Sequence, residues 1–203
     1  MTPPPAPSEP ATAPTKLRVC LAIAVLAVIA DLISKCLVVA NIRSDSDDIR
    51  LLGGALYLVQ ARNSGAAFSV GTGATVMLTA ISVVVVVVIT RAARKLTSTW
   101  WALALGLVLG GALGNLIDRF FRAPAPGKGH VVDWISVFAS DGHVFPIFNL
   151  ADSSIVVGGA IAVLLSLRGV DFVGGRNPLE SDEPAGSEPA AAPGTDDPPP
   201  SHG

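Results

Sequence analysis

Two carboxylic acids, Asp133 and Asp152, stand where acid–base chemistry is possible. Asp133 is flanked by Val131, Val132, Trp134 and Ile135, and Asp152 closes the run Phe145-Pro-Ile-Phe-Asn-Leu-Ala-Asp152. If two such groups come within a few ångströms in a partly dry site, both cannot ionise easily. One pKa rises, the other stays low, and the pair holds a single proton near neutral pH. Such a pair can take a proton from water while giving one to a carbonyl oxygen, so hydrolysis needs no metal. The apparent pKa values belong to the pair. Other polar side chains could build the surroundings. Asp31 and Lys35 are an i, i+4 pair with the acid first, the better order for a helical ion pair. Asn115, Asp118 and Arg119 follow one another within five residues, Asn149 precedes Asp152 by three, and Asn63-Ser64-Gly65 is a turn signal.

The elements that must hold these groups are membrane helices. Of 203 residues, 50% are hydrophobic and 15% charged, well below the quarter charged in a soluble domain. A net charge of −2 does not fit a basic nucleic-acid binder, and no nucleic-acid partner is expected. Four runs have the roughly 20 apolar residues that a bilayer core requires: about Leu17 to Ala40, Ala74 to Thr90, Trp100 to Ile117 and Ile147 to Leu167. The second holds the run Val83–Val88, and the third carries Gly106, Gly110 and Gly114 at four-residue spacing, which suits close helix packing. Trp100 and Trp101 fit an aromatic belt. Cys20 and Cys36 lie in one straight run and cannot form a disulfide with each other. Thirteen of the 16 prolines fall in residues 1–15 or 174–203, so the segments 1–15 and 173–203 read as disordered tails around a core of residues 16–172.

Arg91, Arg94 and Lys95 between spans two and three, Lys16 and Arg18 before span one and Arg168 after span four point to both termini inside. In that arrangement the polar residues gather on one side. Asp31 lies 14 residues after Leu17, about 21 Å along a helix, with Lys35 one turn further out. Asn115, Asp118 and Arg119 close span three, and Asn149 and Asp152 open span four, at the same outer face. A charge inside a membrane helix costs about 2.5–3.5 kcal/mol on insertion scales, so several at one depth point to a site. Individually each has a plainer reading. Asp31 and Lys35 can serve one another, Asp118 and Arg119 can form an interfacial ion pair, and Asn115 can bond a neighbouring helix. His130 and His143 have no second ligand at metal spacing, and Asp45, Asp47 and Asp48 read as a solvated charge run. The outer loop at about 41–73 mixes short apolar runs with Gly and Asn, which predicts short strands on the membrane surface; a second outer loop runs over about 119–146. A proton-coupled transporter would place ionisable residues at several depths, a scaffold leaves the outer cluster unused, and a metal hydrolase would be stopped by a chelator.

Five segments together carry a resemblance: Asp31-Leu-Ile-Ser-Lys35, Asn63-Ser-Gly-Ala-Ala-Phe-Ser69, Gly110-Gly-Ala-Leu-Gly-Asn115-Leu-Ile-Asp118-Arg119, Val131-Val-Asp133-Trp134 and Phe148-Asn149-Leu-Ala-Asp152. In this order, over roughly residues 17–168, the sequence resembles the lipoprotein signal peptidases, the bacterial signal peptidases II. The resemblance implies an all-α integral membrane protein of four transmembrane helices with a small β-rich extracytoplasmic surface domain on the first outer loop. It implies a multi-pass protein of the bacterial cytoplasmic (inner) membrane with its site at the outer interface. The implied activity is that of an aspartyl endopeptidase cutting diacylglyceryl-modified prolipoproteins just before the lipidated cysteine. Asp133 and Asp152 match the catalytic pair. Asp31, Lys35, Asn63, Asn115, Asp118, Arg119 and Asn149 match positions that support the site or contact substrate. No cofactor or metal is implied; the expected partners are the lipidated substrate and membrane lipid, the chain is expected to be a monomer, and globomycin is expected to occupy the site.

Overall fold

The computed structural model describes residues 13–43, 48–65 and 72–173. Most of both proline-rich ends, and Asp45 and Asp47 of the charge run, lie outside the described residues. Four helices are long and apolar enough to cross a membrane: α1 (Ala13–Asn41), α2 (Thr72–Ala93), α3 (Thr99–Phe121) and α4 (Leu150–Leu167). Their outward faces carry Leu26, Ile33, Leu37, Val84, Val88, Val156 and Val163, all exposed, as lipid contact requires. Three strands complete the fold: β1 (Ile49–Leu51), β2 (Leu56–Asn63) and β3 (Val131–Val137). They form one antiparallel sheet in the order β1-β2-β3, with an irregularity between Leu58 and Ala61.

The first two strands lie in the loop where strands are expected, whereas β3 comes from the second loop. Its segment Val131-Val-Asp-Trp-Ile-Ser-Val137 is buried over its first three residues and alternates poorly, so its pairing with β2 is tertiary information. The fourth helix starts at Leu150, three residues later than hydropathy suggests. Phe148 is held in an antiparallel bridge to Ile135, and Asn149 then caps the helix. The third continues past Ile117 to Phe121.

Helix α3 is the hub, packing on all three other helices and most extensively on α4 and α1. Its glycines allow this. A Cβ on Gly110 would lie 2.6 Å from Ala27 Cβ and 2.7 Å from Ala24 O of α1, and one on Gly111 would lie 2.3 Å from Ala151 O of α4. The second contact is with backbone, which cannot rotate away. Gly111→Ala is therefore expected to push α3 and α4 apart at a cost of about 1–3 kcal/mol. Unfolding in detergent micelles should show the loss, and an unchanged midpoint would contradict it.

At the end of the bundle away from the paired carboxylates, Trp101 ties two segments together. Its Nε1 donates to Val170 O at 2.8 Å and its ring meets Phe172 edge-on, fastening the segment after α4 to α3. Trp100 is exposed. Cys20 is buried, Cys36 is exposed, and both are free thiols.

Candidate active site

The site forms where α1 and α3 end, α4 begins and the sheet closes over them. Lys35 organises the first layer. It is fully buried, with its Nζ 2.7 Å from Asp31 Oδ2, 3.0 Å from Asp118 Oδ2 and 3.2 Å from Asn115 Oδ1. Three acceptors for one ammonium is the full capacity of the group. Gly114 makes room for this cluster, since a Cβ there would lie 2.6 Å from Asp31 Oδ2.

Each acid of the cluster then positions another element. Asp31 Oδ1 accepts the Ala151 N–H at 3.0 Å, satisfying one of the orphan donors at the start of α4. Asp118 Oδ2 accepts the Val132 N–H at 3.1 Å, fixing β3 next to its catalytic candidate. Asp118 also pairs with Arg122, one helical turn on. The Asp118–Arg119 ion pair, the plainer reading of those two residues, is not found among the described residues. Adjacent helical residues point in different directions, whereas i, i+4 neighbours meet, and that spacing is the sequence signal for Arg122. Arg119 is only 6% exposed, and its Nε and Nη1 have no hydrogen-bond partner among the described residues. It lies within electrostatic reach of Asp133, Asp152 and Asp118.

The two carboxylates meet through asparagines. Asn149, fully buried, donates from Nδ2 to Asp133 Oδ1 at 2.6 Å and to Asn115 Oδ1 at 3.1 Å. Its Oδ1 accepts the Asp152 N–H at 3.0 Å, while Asp152 Oδ2 accepts the Asn149 N–H at 3.2 Å, a reciprocal capping box. Asn115 Nδ2 donates to Asp152 Oδ1 at 2.7 Å. Asn63 Nδ2 donates to Asp133 Oδ2 at 2.8 Å, and its Oδ1 accepts the Gly65 N–H at 2.7 Å, so the predicted turn is what aims this side chain. All three amides have donor and acceptor ends used, which fixes their orientation.

The carboxylates differ in surroundings. Asp133 is 3% exposed and Asp152 half-buried. Burial pushes the Asp133 carboxyl up to about 6, with the neighbouring Asp152 charge adding to the rise, against the opposing pull of the Asn63 and Asn149 hydrogen bonds. Thus the structure brings together Asp31, Lys35, Asn63, Asn115, Asp118, Asp133, Asn149 and Asp152 in one hydrogen-bonded and ion-paired network, with Arg119 beside it. His130 and His143 lie apart from that network: His143 pairs with Asp141 at 2.5 Å, and the His130 N–H donates to Ala123 O at 3.0 Å.

Known proteins resemble this chain in sequence and in fold. The family described as signal peptidase (SPase) II matches residues 23–168. A lipoprotein signal peptidase of Mycobacterium leprae is 46% identical over 159 residues, covering 78% of this chain and 76% of its own. One from Rhodococcus jostii is 47% identical over 175 residues, covering 86% and 85%. A bacterial membrane enzyme solved by the in meso method at 2.3 Å superposes with a TM-score of 0.63 at 28% identity, over 75% of this chain and 89% of that one. With the match running from within α1 to just past the end of α4 and taking in every residue of the network, the chain belongs to the signal peptidase II family of aspartic peptidases.

Proposed function

We propose that Asp133 and Asp152 are the catalytic pair of a membrane endopeptidase that removes the signal peptide from diacylglyceryl-modified prolipoproteins, cutting on the N-terminal side of the lipidated cysteine. Family membership supports the substrate class. The observation that carries the mechanism is the bridge of Asn149 to both carboxylates, by its side-chain Nδ2 to Asp133 and its backbone N–H to Asp152, which lie 19 residues apart in the chain. In this reading the acids align one water against the scissile carbonyl. Asp152, at the N-terminus of α4 where the helix dipole favours a carboxylate, takes the proton of the water. Asp133, kept protonated to higher pH by burial, donates to the carbonyl oxygen. Two nitrogens of the buried Arg119, Nε and Nη1, have no partner among the described residues, and such buried donors are costly unless a ligand completes them. Arg119 is assigned to a carbonyl of the substrate.

The assigned setting is the bacterial cytoplasmic membrane, with both termini inside, the sheet on the extracytoplasmic side and the pair at the outer interface. The substrate enters sideways, its acyl chains remaining in lipid, and a monomer suffices because one chain supplies the whole network. Interfacial placement provides water without breaching the bilayer.

The test is cleavage of a lipidated prolipoprotein by purified protein across pH, with and without EDTA. As pH rises through about 6, Asp133 loses the proton it must donate, so kcat/KM is expected to fall by up to tenfold per unit beyond that limb. Activity is expected to persist in EDTA. A profile flat from acid to alkaline pH would remove Asp133 from the acid role, and loss of activity in chelator would favour metal-assisted hydrolysis.

A further inference from the structure

Between β3 and α4 the chain forms a lobe over residues 138–147. Its neck is the pairing of Ile135 with Phe148, whose N–H donates to Ile135 O at 3.0 Å and whose carbonyl accepts the Ile135 N–H at 2.8 Å. Inside the neck the buried Ser136 hydroxyl donates to Ala139 O at 2.5 Å. Phe138, in the left-handed region at φ 64°, turns the chain out of the sheet. At the tip, Asp141 Oδ1 accepts from the His143 N–H at 3.2 Å and contacts its Nδ1 at 2.5 Å. Those bonds hold the Asp141 carboxyl below the usual carboxylate range, so it is an anion at neutral pH.

This lobe borders an open groove of about 320 Å³. Arg62 and Asn63 of β2 line one side, Asp133 of β3 the floor, and Asp141, Gly142 and Ile147 of the lobe the other. No residue of the four helices borders it. It therefore adjoins a carboxylate of the pair from the sheet side, and it offers one fixed anion and one cation.

A substrate stretched across the pair has two chemically unlike halves. A signal peptide is dominated by an apolar segment, which belongs along the helices in lipid. The chain beyond the lipidated cysteine must leave toward water, over the sheet. We infer that the groove receives the side chains that immediately follow the lipidated cysteine, and that Asp141 and Arg62 select among prolipoproteins by the charge of those side chains. The inference rests on the assignment of Asp133 and Asp152 as the hydrolytic pair.

The experiment uses the full chain in detergent micelles with three lipidated prolipoprotein substrates that differ only in carrying Asp, Ser or Lys directly after the cysteine. Asp141→Lys is expected to lower kcat/KM for the Lys substrate relative to the Ser substrate by about three- to fivefold, the scale of one part-exposed ion pair. The loss should appear mainly in KM. Arg62→Glu is expected to do the same to the Asp substrate. Parallel changes on all three substrates in both variants would overturn the inference. If Asp133→Asn is inactive while the charge ratios stay fixed, the pair stands and the role of the groove falls. Cleavage by Asp133→Asn would remove the pair and this inference with it.

Discussion

Replacing either Asp133 or Asp152 by asparagine is expected to lower kcat/KM by about 10³-fold or more while the protein still inserts and folds. General acid–base catalysis alone is worth about 10²–10⁴-fold, and each variant removes a carboxylate that cannot be replaced by its partner. The substitution also reverses local polarity. At Asp133 both oxygens accept from amide nitrogens, Asn149 at 2.6 Å and Asn63 at 2.8 Å. An asparagine there must turn its NH2 group toward a donor, and so it is not a silent isostere. At Asp152 the donors are Asn115 Nδ2 at 2.7 Å and the Asn149 N–H at 3.2 Å, with the same conflict. The measurement is turnover of a lipidated prolipoprotein by protein whose helical content matches wild type. Wild-type turnover by either variant would end the assignment.

The second large effect is on stability. Lys35→Met is expected to cost about 3–5 kcal/mol, the usual consequence of deleting one member of a buried ionic group. Lys35 is the only cation in contact with both Asp31 and Asp118 among the described residues, and all three side chains are 1% exposed or less. Without the ammonium the two carboxylates face each other across α1 and α3. Because Asp31 holds the start of α4 and Asp118 holds β3, the damage reaches both Asp152 and Asp133. Asp31→Asn should be milder, since the ammonium keeps Asp118 and Asn115. Unfolding midpoints and yields in micelles decide between these outcomes. Equal stability of Lys35→Met and wild type would show that the cluster does not hold the bundle together.

Much of this was legible in the residues. Hydropathy located all four helices because a lipid-facing helix must be apolar around most of its girth. The polar side chains at one depth were legible for the complementary reason, that each is expensive there. What the sequence could not show was who meets whom. Asp118 stands beside Arg119 in the chain, yet it pairs with Lys35 from another helix and with Arg122 one turn away. Strand β3 was hidden because its pairing partner lies about 70 residues earlier, at Ala61, Arg62 and Asn63. Asn149 read as one helper among several, whereas its position makes it the link between the acids. Trp101 carried the composition of a belt residue, and only the path of the chain to Val170 turned it into a fastening.

The joint use of Asn149, as cap of the last helix and as bridge between the acids, bears on how the enzyme comes into being. Until α4 emerges from the ribosome and enters the bilayer, the nascent polypeptide lacks Asp152, lacks the amide that steadies Asp133, and leaves Asp31 without the N–H it caps. With Asp133 and Asp152 as the hydrolytic pair, peptide cleavage would have to await the insertion of α4.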